Sequence, residues 1–261
     1  MTERCDVLPP TLAESHVSNL DHTLGGMLRK FERRAPLQDA DRRALLDLPF
    51  RLRAVEPHQY IVREGMEGEE SCMIVRGFAY RQKVSMEGSR QILSVHMAGD
   101  FVDLDGSLLR RADHSIQALT RCELAVVPSR AIRALVLEHP NIGLAMWVDT
   151  LIDASIFREW LLNIGQRDAR ARLAHLFCEF SRRLEAAGLC ERGGYELPMT
   201  QEQLADATGL TSVHVNRTMK SLEREGLIER EKRFVKIPDW ERLRDLAGFS
   251  ELYLHLDQVA V

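Results

Sequence analysis

Of 261 residues only five are cysteine, and no two of them stand in a C-x-x-C spacing. Cys5, Cys72, Cys122, Cys178 and Cys190 are odd in number and scattered, which argues against a disulfide framework and against a zinc knuckle. Five free thiols are expected: Cys72, Cys122 and Cys178 fall in apolar runs that read as core, while Cys5 and Cys190 fall in polar segments where a redox role stays open. No apolar run approaches the length of a membrane-spanning helix, and the amino-terminal stretch has no apolar secretion core. A cytoplasmic protein without a membrane partner is therefore expected. Walker loop, nucleophile elbow and HExxH zinc motif are all absent, which leaves little ground for an enzyme. A positive excess is missing too: 35 Lys and Arg against 39 Asp and Glu give a net charge of −4, so any contact with nucleic acid must come from a local patch.

The length exceeds one typical domain and predicts two. Residues 1–20 read as a flexible arm containing Pro9-Pro10, followed by helices over Leu20–Arg34 and Gln38–Leu48, the second capped near Asp39. From Phe50 short strand-like runs alternate with turns marked by Gly65, Gly68, Gly77, Gly88 and Gly99. The runs are His58–Arg63, Ser71–Val75, Ala79–Val84, Arg90–Val95, Asp100–Val102, His114–Leu119 and Cys122–Pro128, a grammar that predicts a β-sandwich or jelly roll. Helical patterns return over Ser129–Glu138 and from Asn141 to about Ile164. In the longer one Leu144, Trp147, Leu151, Ile152 and Ile156, with six further apolar residues, cover more of the circumference than one domain surface needs. That fits a dimer seam, and it also fits a central core helix of a monomer. A hinge is expected at Gly165–Asp168, a helix over Ala169–Ala187, and a closing helical segment over Pro238–His255 that starts at Asp239.

The stretch Thr200–Ile228 is the most specific. Thr200 with Gln203 three residues on forms a capping box, and Leu204, Ala205 and Ala207 give the helix an apolar face. Gly209 supplies a turn needing positive φ, Thr211 can cap a second helix, and Val215, Met219 and Leu222 face inward. Ser212, Val213, Asn216, Arg217 and Lys220 are left outward, which is a helix-turn-helix with a reading face. A helical hairpin in a bundle would share much of this pattern. Two neighbours separate the readings: Glu229–Ile237 looks like a charged turn and short strand forming a wing, and the local charge turns positive. Between 211 and 236, Arg217, Lys220, Arg224, Arg230, Lys232, Arg233 and Lys236 face only Glu223, Glu225, Glu229 and Glu231.

A jelly roll, a long helix and a winged helix-turn-helix in this order resemble the Crp/Fnr family of bacterial transcription regulators from about Leu20 to Phe249. The specific parts are Gly65, Gly77, Gly99-Asp100-Phe101, the junction Asp168–Ala174, and LTSVHVNRTMKSLEREGLI, which is similar to the variant in alphaproteobacterial members. The resemblance implies an α+β fold: a cyclic-nucleotide-binding-like jelly roll with N-terminal helices over 21–128, linking and dimerisation helices over 129–167, a winged helix-turn-helix over 168–250, and a tail over 251–261. It implies a homodimer on double-stranded DNA, with half-sites about 34–36 Å apart, and RNA polymerase as a protein partner. Base-reading positions carry over to Ser212, Val213, Asn216 and Arg217, and phosphate positions to Thr200, Gln201, Thr211 and His214, with Lys220 added for its charge. Many members have glutamate where Val213 stands, so the operator should differ there from that of the cyclic-AMP receptor. A winged helix that binds protein rather than DNA is the alternative.

Members that bind cyclic nucleotides carry a Gly-Glu pair and, about ten residues later, an Arg-Ser/Thr pair that neutralises the phosphate. Here Asp103 and Asp105 stand near the first and His114-Ser115 near the second, with Arg110 and Arg111 nearby. Aspartates repel an anion, so these six residues form a possible effector pocket that argues against cyclic AMP. Phe157 and Arg158 fall where an adenine would meet the long helix. An iron–sulfur cluster lacks its cysteines, haem would need His58, His96 or His114, and Asp103, Asp105, Asp113 and His114 fit no metal-loop spacing. No metal is assigned, and the cofactor and effector stay unknown.

Overall fold

The computed structural model describes residues 23–190 and 194–256. The expected arm at 1–20, Cys5 and the end of the tail at 257–261 lie outside the described residues. Helix α1 (residues 23–32) and helix α2 (Asp39–Leu46) come first. Gln38, one residue before the expected cap, holds the N-cap position of α2, and Asp41 accepts its backbone N–H at 2.9 Å.

Two antiparallel sheets then form the sandwich. One has the order β1 (Arg51–Val55), β7 (Cys122–Pro128), β3 (Glu70–Arg76); the other runs β2 (Tyr60–Val62), β6 (Ser115–Ala118), β4 (Ala79–Val84), β5 (Arg90–His96). Alternation with period two sorts each strand between two cores. Cys72, Ile74, Leu124 and Val126 point between the sheets, while Met73, Ala125 and Val127 point outward under α1, α2 and helix α3 (Ser129–Glu138). The run Asp100–Val102, expected as a strand, makes a single bridge from Phe101 to Met73. The chain cannot continue along β3 because the Asp103 carboxylate takes the next partners itself, accepting from Cys72 N–H at 2.6 Å and Ser71 Oγ at 3.0 Å. A 3-10 turn, Leu104–Ser107, follows.

Helix α4 (Pro140–Gln166) runs unbroken through the expected hinge, which shrinks to Arg167 and Asp168. Arg167 is extended and Asp168 caps helix α5 (Ala169–Ala186), accepting the N–H groups of Arg170 and Ala171 at 2.9 Å each. Early in α4, Ile142, Ala145 and Met146 pack under the sandwich; later, Ile152, Ile156 and Trp160 join a core shared by the C-terminal unit and the sandwich residues Tyr80, Ile92, Val95 and Met97. Trp147, Leu151 and Leu161 remain outside, 65%, 53% and 74% exposed. Leu144 is half-buried. Of the five apolar positions grouped for a dimer seam, Ile152 and Ile156 are therefore committed to the chain's own core.

The C-terminal unit adds β8 (Gly194–Glu196), α6 (Gln201–Thr208), α7 (Ser212–Arg224), β9 (Glu229–Glu231), β10 (Phe234–Lys236) and α8 (Trp240–Ala247). The closing segment expected from Pro238 to His255 is α8, capped by Asp239, and a separate 3-10 turn at Glu251–Leu254. The C-terminal unit docks on the sandwich partly through Asp206 of α6, which accepts from Arg90 Nε at 2.7 Å, while its backbone carbonyl accepts from Gln91 at 2.6 Å.

One buried carboxylate joins the parts. Glu179 on α5 is fully buried and accepts from Trp160 Nε1 at 2.9 Å and from Tyr253 Oη at 2.8 Å, with Arg183 at 3.4 Å. Removing it leaves the buried Trp160 N–H and the half-buried Tyr253 O–H without this acceptor, at about 1–3 kcal/mol each, while Arg183 keeps Val95 O at 2.9 Å and Asp100 at 3.6 Å. Glu179→Ala is expected to lower unfolding free energy by about 3–5 kcal/mol, and Glu179→Gln by less, as read from urea denaturation.

Candidate nucleic-acid interface

The two helices of the motif are set by local chemistry. Thr200 Oγ1 accepts the Gln203 N–H at 3.2 Å, and Gln203 Oε1 accepts the Thr200 N–H at 2.8 Å, closing the capping box. Gly209 ends α6 in the left-handed region with φ 65°. Thr211 then starts α7 by accepting the His214 N–H at 3.2 Å. Leu204, Ala205 and Ala207 on α6 and Val215, Met219 and Leu222 on α7 are buried, the face expected from their spacing.

The opposite face of α7 is open. Ser212, Val213, Arg217 and Lys220 are exposed, Val213 by 80%, and Asn216 is half-buried. With Gln201 they line one concavity of about 800 Å³. Of the positions expected at phosphates, Gln201 and Lys220 share that concavity. Thr200 and Thr211 use a hydroxyl lone pair on a cap and keep the O–H to donate, and His214 is half-buried. The wing has two strands, β9 and β10, where one was expected, with exposed Lys232 and Arg233 at its tip and Lys232 at φ 55°. Arg230 ties it to α7 through Glu223 at 2.9 Å. A third strand, β8, was missed; it has three residues and no period. Its signal is Gly194, where a Cβ would meet Val235 O at 2.5 Å.

The residues grouped as an effector pocket meet different fates. Asp103 is buried against β3; burial, which outweighs its hydrogen bonds, pushes its carboxyl up to about 6. Arg110 and Arg111 are exposed beside Glu67, at 3.6 and 3.4 Å. Ser115 Oγ accepts the Glu64 N–H at 3.0 Å. Asp105, Asp113 and His114 do converge, with ligand-type atoms within 4.8 Å of one another. Arg81 Nε, a permanent donor, faces His114 Nε2 at 3.1 Å. The ring proton therefore sits on Nδ1, which donates to Asp113 at 2.6 Å. The nitrogen facing the carboxylates thus has no free lone pair, and the trio is a hydrogen-bond network rather than a metal cage. The other two histidines weighed for haem are His58, exposed in a turn, and His96, buried and bonded to Ser94 at 3.0 Å.

Sequence reasoning missed Arg81 and Asp153. Arg81 crosses the space between residues 100–118 and α4: it donates to Val102 O at 3.0 Å, lies 3.8 Å from Asp153, and sits over the Phe157 ring at 5.3 Å. The chain's own guanidinium thus stands where an adenine was weighed.

Among the described residues no helix is long and apolar enough to cross a membrane. Residues 52–139 match the cyclic nucleotide-binding domain, and residues 171–246 match the Crp-like helix-turn-helix domain. These define a two-domain, DNA-binding transcription regulator, not an enzyme. The chain is 28% identical over 214 residues to the transcriptional activator protein FnrL of Cereibacter sphaeroides, covering 80% of this chain and 86% of that one. It is 23% identical over 243 residues to the fumarate and nitrate reduction regulatory protein of Escherichia coli K12, covering 93% and 87%. FixK2 of Bradyrhizobium japonicum shares the fold, with TM-score 0.71 and 21% identity over 78% of this chain and all of that one. The chain belongs to the Crp/Fnr family.

Two predictions follow from the geometry. Gly209→Ala places a Cβ 3.4 Å from Ile164 at positive φ and is expected to cost about 1–2 kcal/mol in a denaturant titration. Burial, and then Asp149 one turn earlier, push the Asp153 carboxyl up to about 6. An acid whose pKa is higher folded than unfolded (about 4) favours the fold when protonated, so stability falls as pH rises from about 4 to about 6. Asp153→Asn should raise the melting temperature at pH 7 and flatten that slope, leaving the part due to Asp103.

Proposed function

We propose that the chain acts as a homodimer that reads a pseudo-palindromic operator, with α7 of each copy in a major groove. The open face of α7 carries this reading: Ser212, Val213, Asn216 and Arg217 face one concavity, with basic Lys220 beside them. Arg217 offers a fork of donors to guanine, Val213 an apolar contact to a thymine methyl, and Asn216 an amide to adenine. Thr200, Gln201, Thr211, His214 and Lys220 supply phosphate contacts that set register. The dimer seam is the outer row of α4, the exposed Trp147, Leu151 and Leu161 with half-buried Leu144 at its start, since large apolar side chains in one exposed row mark an interface.

The effector is not cyclic AMP on this reading: Arg81 already bonds His114, Val102 and Asp153 in the space concerned, and Asp103 is spent on β3. RNA polymerase is the proposed protein partner.

Arg217→Ala is expected to lose about 1–3 kcal/mol of site discrimination in gel-shift titrations; intact binding and preference would show that α7 is not the reading helix. Trp147→Glu with Leu151→Glu should leave the secondary structure unchanged, shift the mass in sedimentation to a monomer, and abolish operator binding at concentrations where the parent binds.

A further inference from the structure

Gln201 opens α6, and its backbone is pinned between the two members of the capping box, Thr200 and Gln203. Its Oε1 accepts from Asn216 Nδ2 at 3.1 Å, the contact that ties the first helix of the motif to the reading face of the second. Both side chains are half-buried, unlike the exposed Ser212, Val213 and Arg217 around them. A free asparagine amide can meet either purine: Oδ1 with one N–H pairs with adenine, which offers a donor and an acceptor, and the two N–H groups together can bridge the two acceptors of guanine.

We propose that Gln201 is a positioning residue for base reading, one that locks the Asn216 amide so that position 216 accepts adenine and rejects guanine. The inference rests on α7 being the reading helix. The bond occupies one of the two N–H groups of Asn216. Oδ1 and the other N–H remain for the base edge, the acceptor-plus-donor pattern that matches adenine N6 and N7. The same bond turns the amide of Gln201 with its oxygen inward and its Nε2 outward. That leaves two N–H donors for a phosphate. One side chain thus couples backbone register to base choice, and position 201 is more than a phosphate contact.

The test uses the full chain and a library of randomised duplex DNA, with bound duplexes sequenced at fixed salt. The parent should select adenine at one position of each half-site, and Asn216→Ala should flatten that position. Gln201→Ala, on a helix it does not destabilise by circular dichroism, should lower the adenine-to-guanine ratio there about fivefold or more. The guanine preference that depends on Arg217 should persist. Gln201→Glu keeps an acceptor for Asn216 and should keep the ratio, while binding all duplexes more weakly because its charge nears a phosphate. An unchanged ratio in Gln201→Ala beside a flattened one in Asn216→Ala overturns the positioning role and leaves the reading face standing. Loss of the ratio in Gln201→Glu overturns it as well. If neither Asn216→Ala nor Arg217→Ala alters any preference, the reading-face proposal fails and this inference falls with it.

Discussion

Helix α4 must bury its apolar residues on more than one side, and the rest of the structure is arranged around that constraint. Its 27 residues give one flank to the sandwich through Ile142, Ala145 and Met146, and another through Ile152, Ile156 and Trp160 to a core that the sandwich and the C-terminal unit share. Full burial of an isoleucine contributes about 1.5–3 kcal/mol, so Ile152 and Ile156 together outweigh any single surface ion pair in the chain. Polar residues carried inward by the same rotation need partners. Asp149 is met by Lys30 at 2.7 Å and by Arg34 at 3.6 Å, and Asn163 donates to Arg172 O at 3.3 Å. Among the described residues the row of Trp147, Leu151 and Leu161 stays uncovered.

Lys30 extends this logic across the fold. It bridges Asp149 on α4 and Asp100 beside β5, at 2.7 and 2.8 Å, so α1 is bonded to the sandwich and the long helix at once. Burial alone would raise the Asp100 carboxyl; Lys30 and Arg183 outweigh it and hold it far below the usual carboxylate range. Burial, helped by Arg81, keeps His96 beside it neutral. Arg183 belongs to α5 and also touches Glu179, so charges from the sandwich and the C-terminal unit share one network.

The helix-turn-helix was legible in sequence because its determinants are local: two capping threonines, a glycine at positive φ and a spacing of three and four. The strands of the sandwich were legible where apolar and polar residues alternate. β1 was not, because Arg51 and Arg53 give it a charged signature whose partner, Glu70, is remote in sequence. Asp100–Val102 misled because the side chain directly after the strand-like run, Asp103, competed for the ladder. The grouping of Asp103, Asp105, Arg110, Arg111, His114 and Ser115 failed to show what faces them for a similar reason. Arg81 comes from β4 and Asp153 from α4, and only the fold brings them to that segment.

Two of the links between the sandwich and the C-terminal unit differ in magnitude, beside the apolar core and the Arg183–Asp100 contact that the two share. The direct one is the contact of Asp206 with Arg90, both partly exposed. An ion pair of that kind is worth at most about 1 kcal/mol and weakens with salt. The other passes along α4, across the two residues Arg167 and Asp168, into α5, and is buttressed by Glu179, Trp160 and Tyr253 in the interior. A perturbation of the sandwich can break the Asp206–Arg90 ion pair cheaply. It cannot move α5 against α4 without stranding buried donors. The buried path therefore fixes where α7 points relative to the outer row of α4, and the ion pair adds a small share to the seat of α6 on β5 that Gln91 and the shared apolar core also hold.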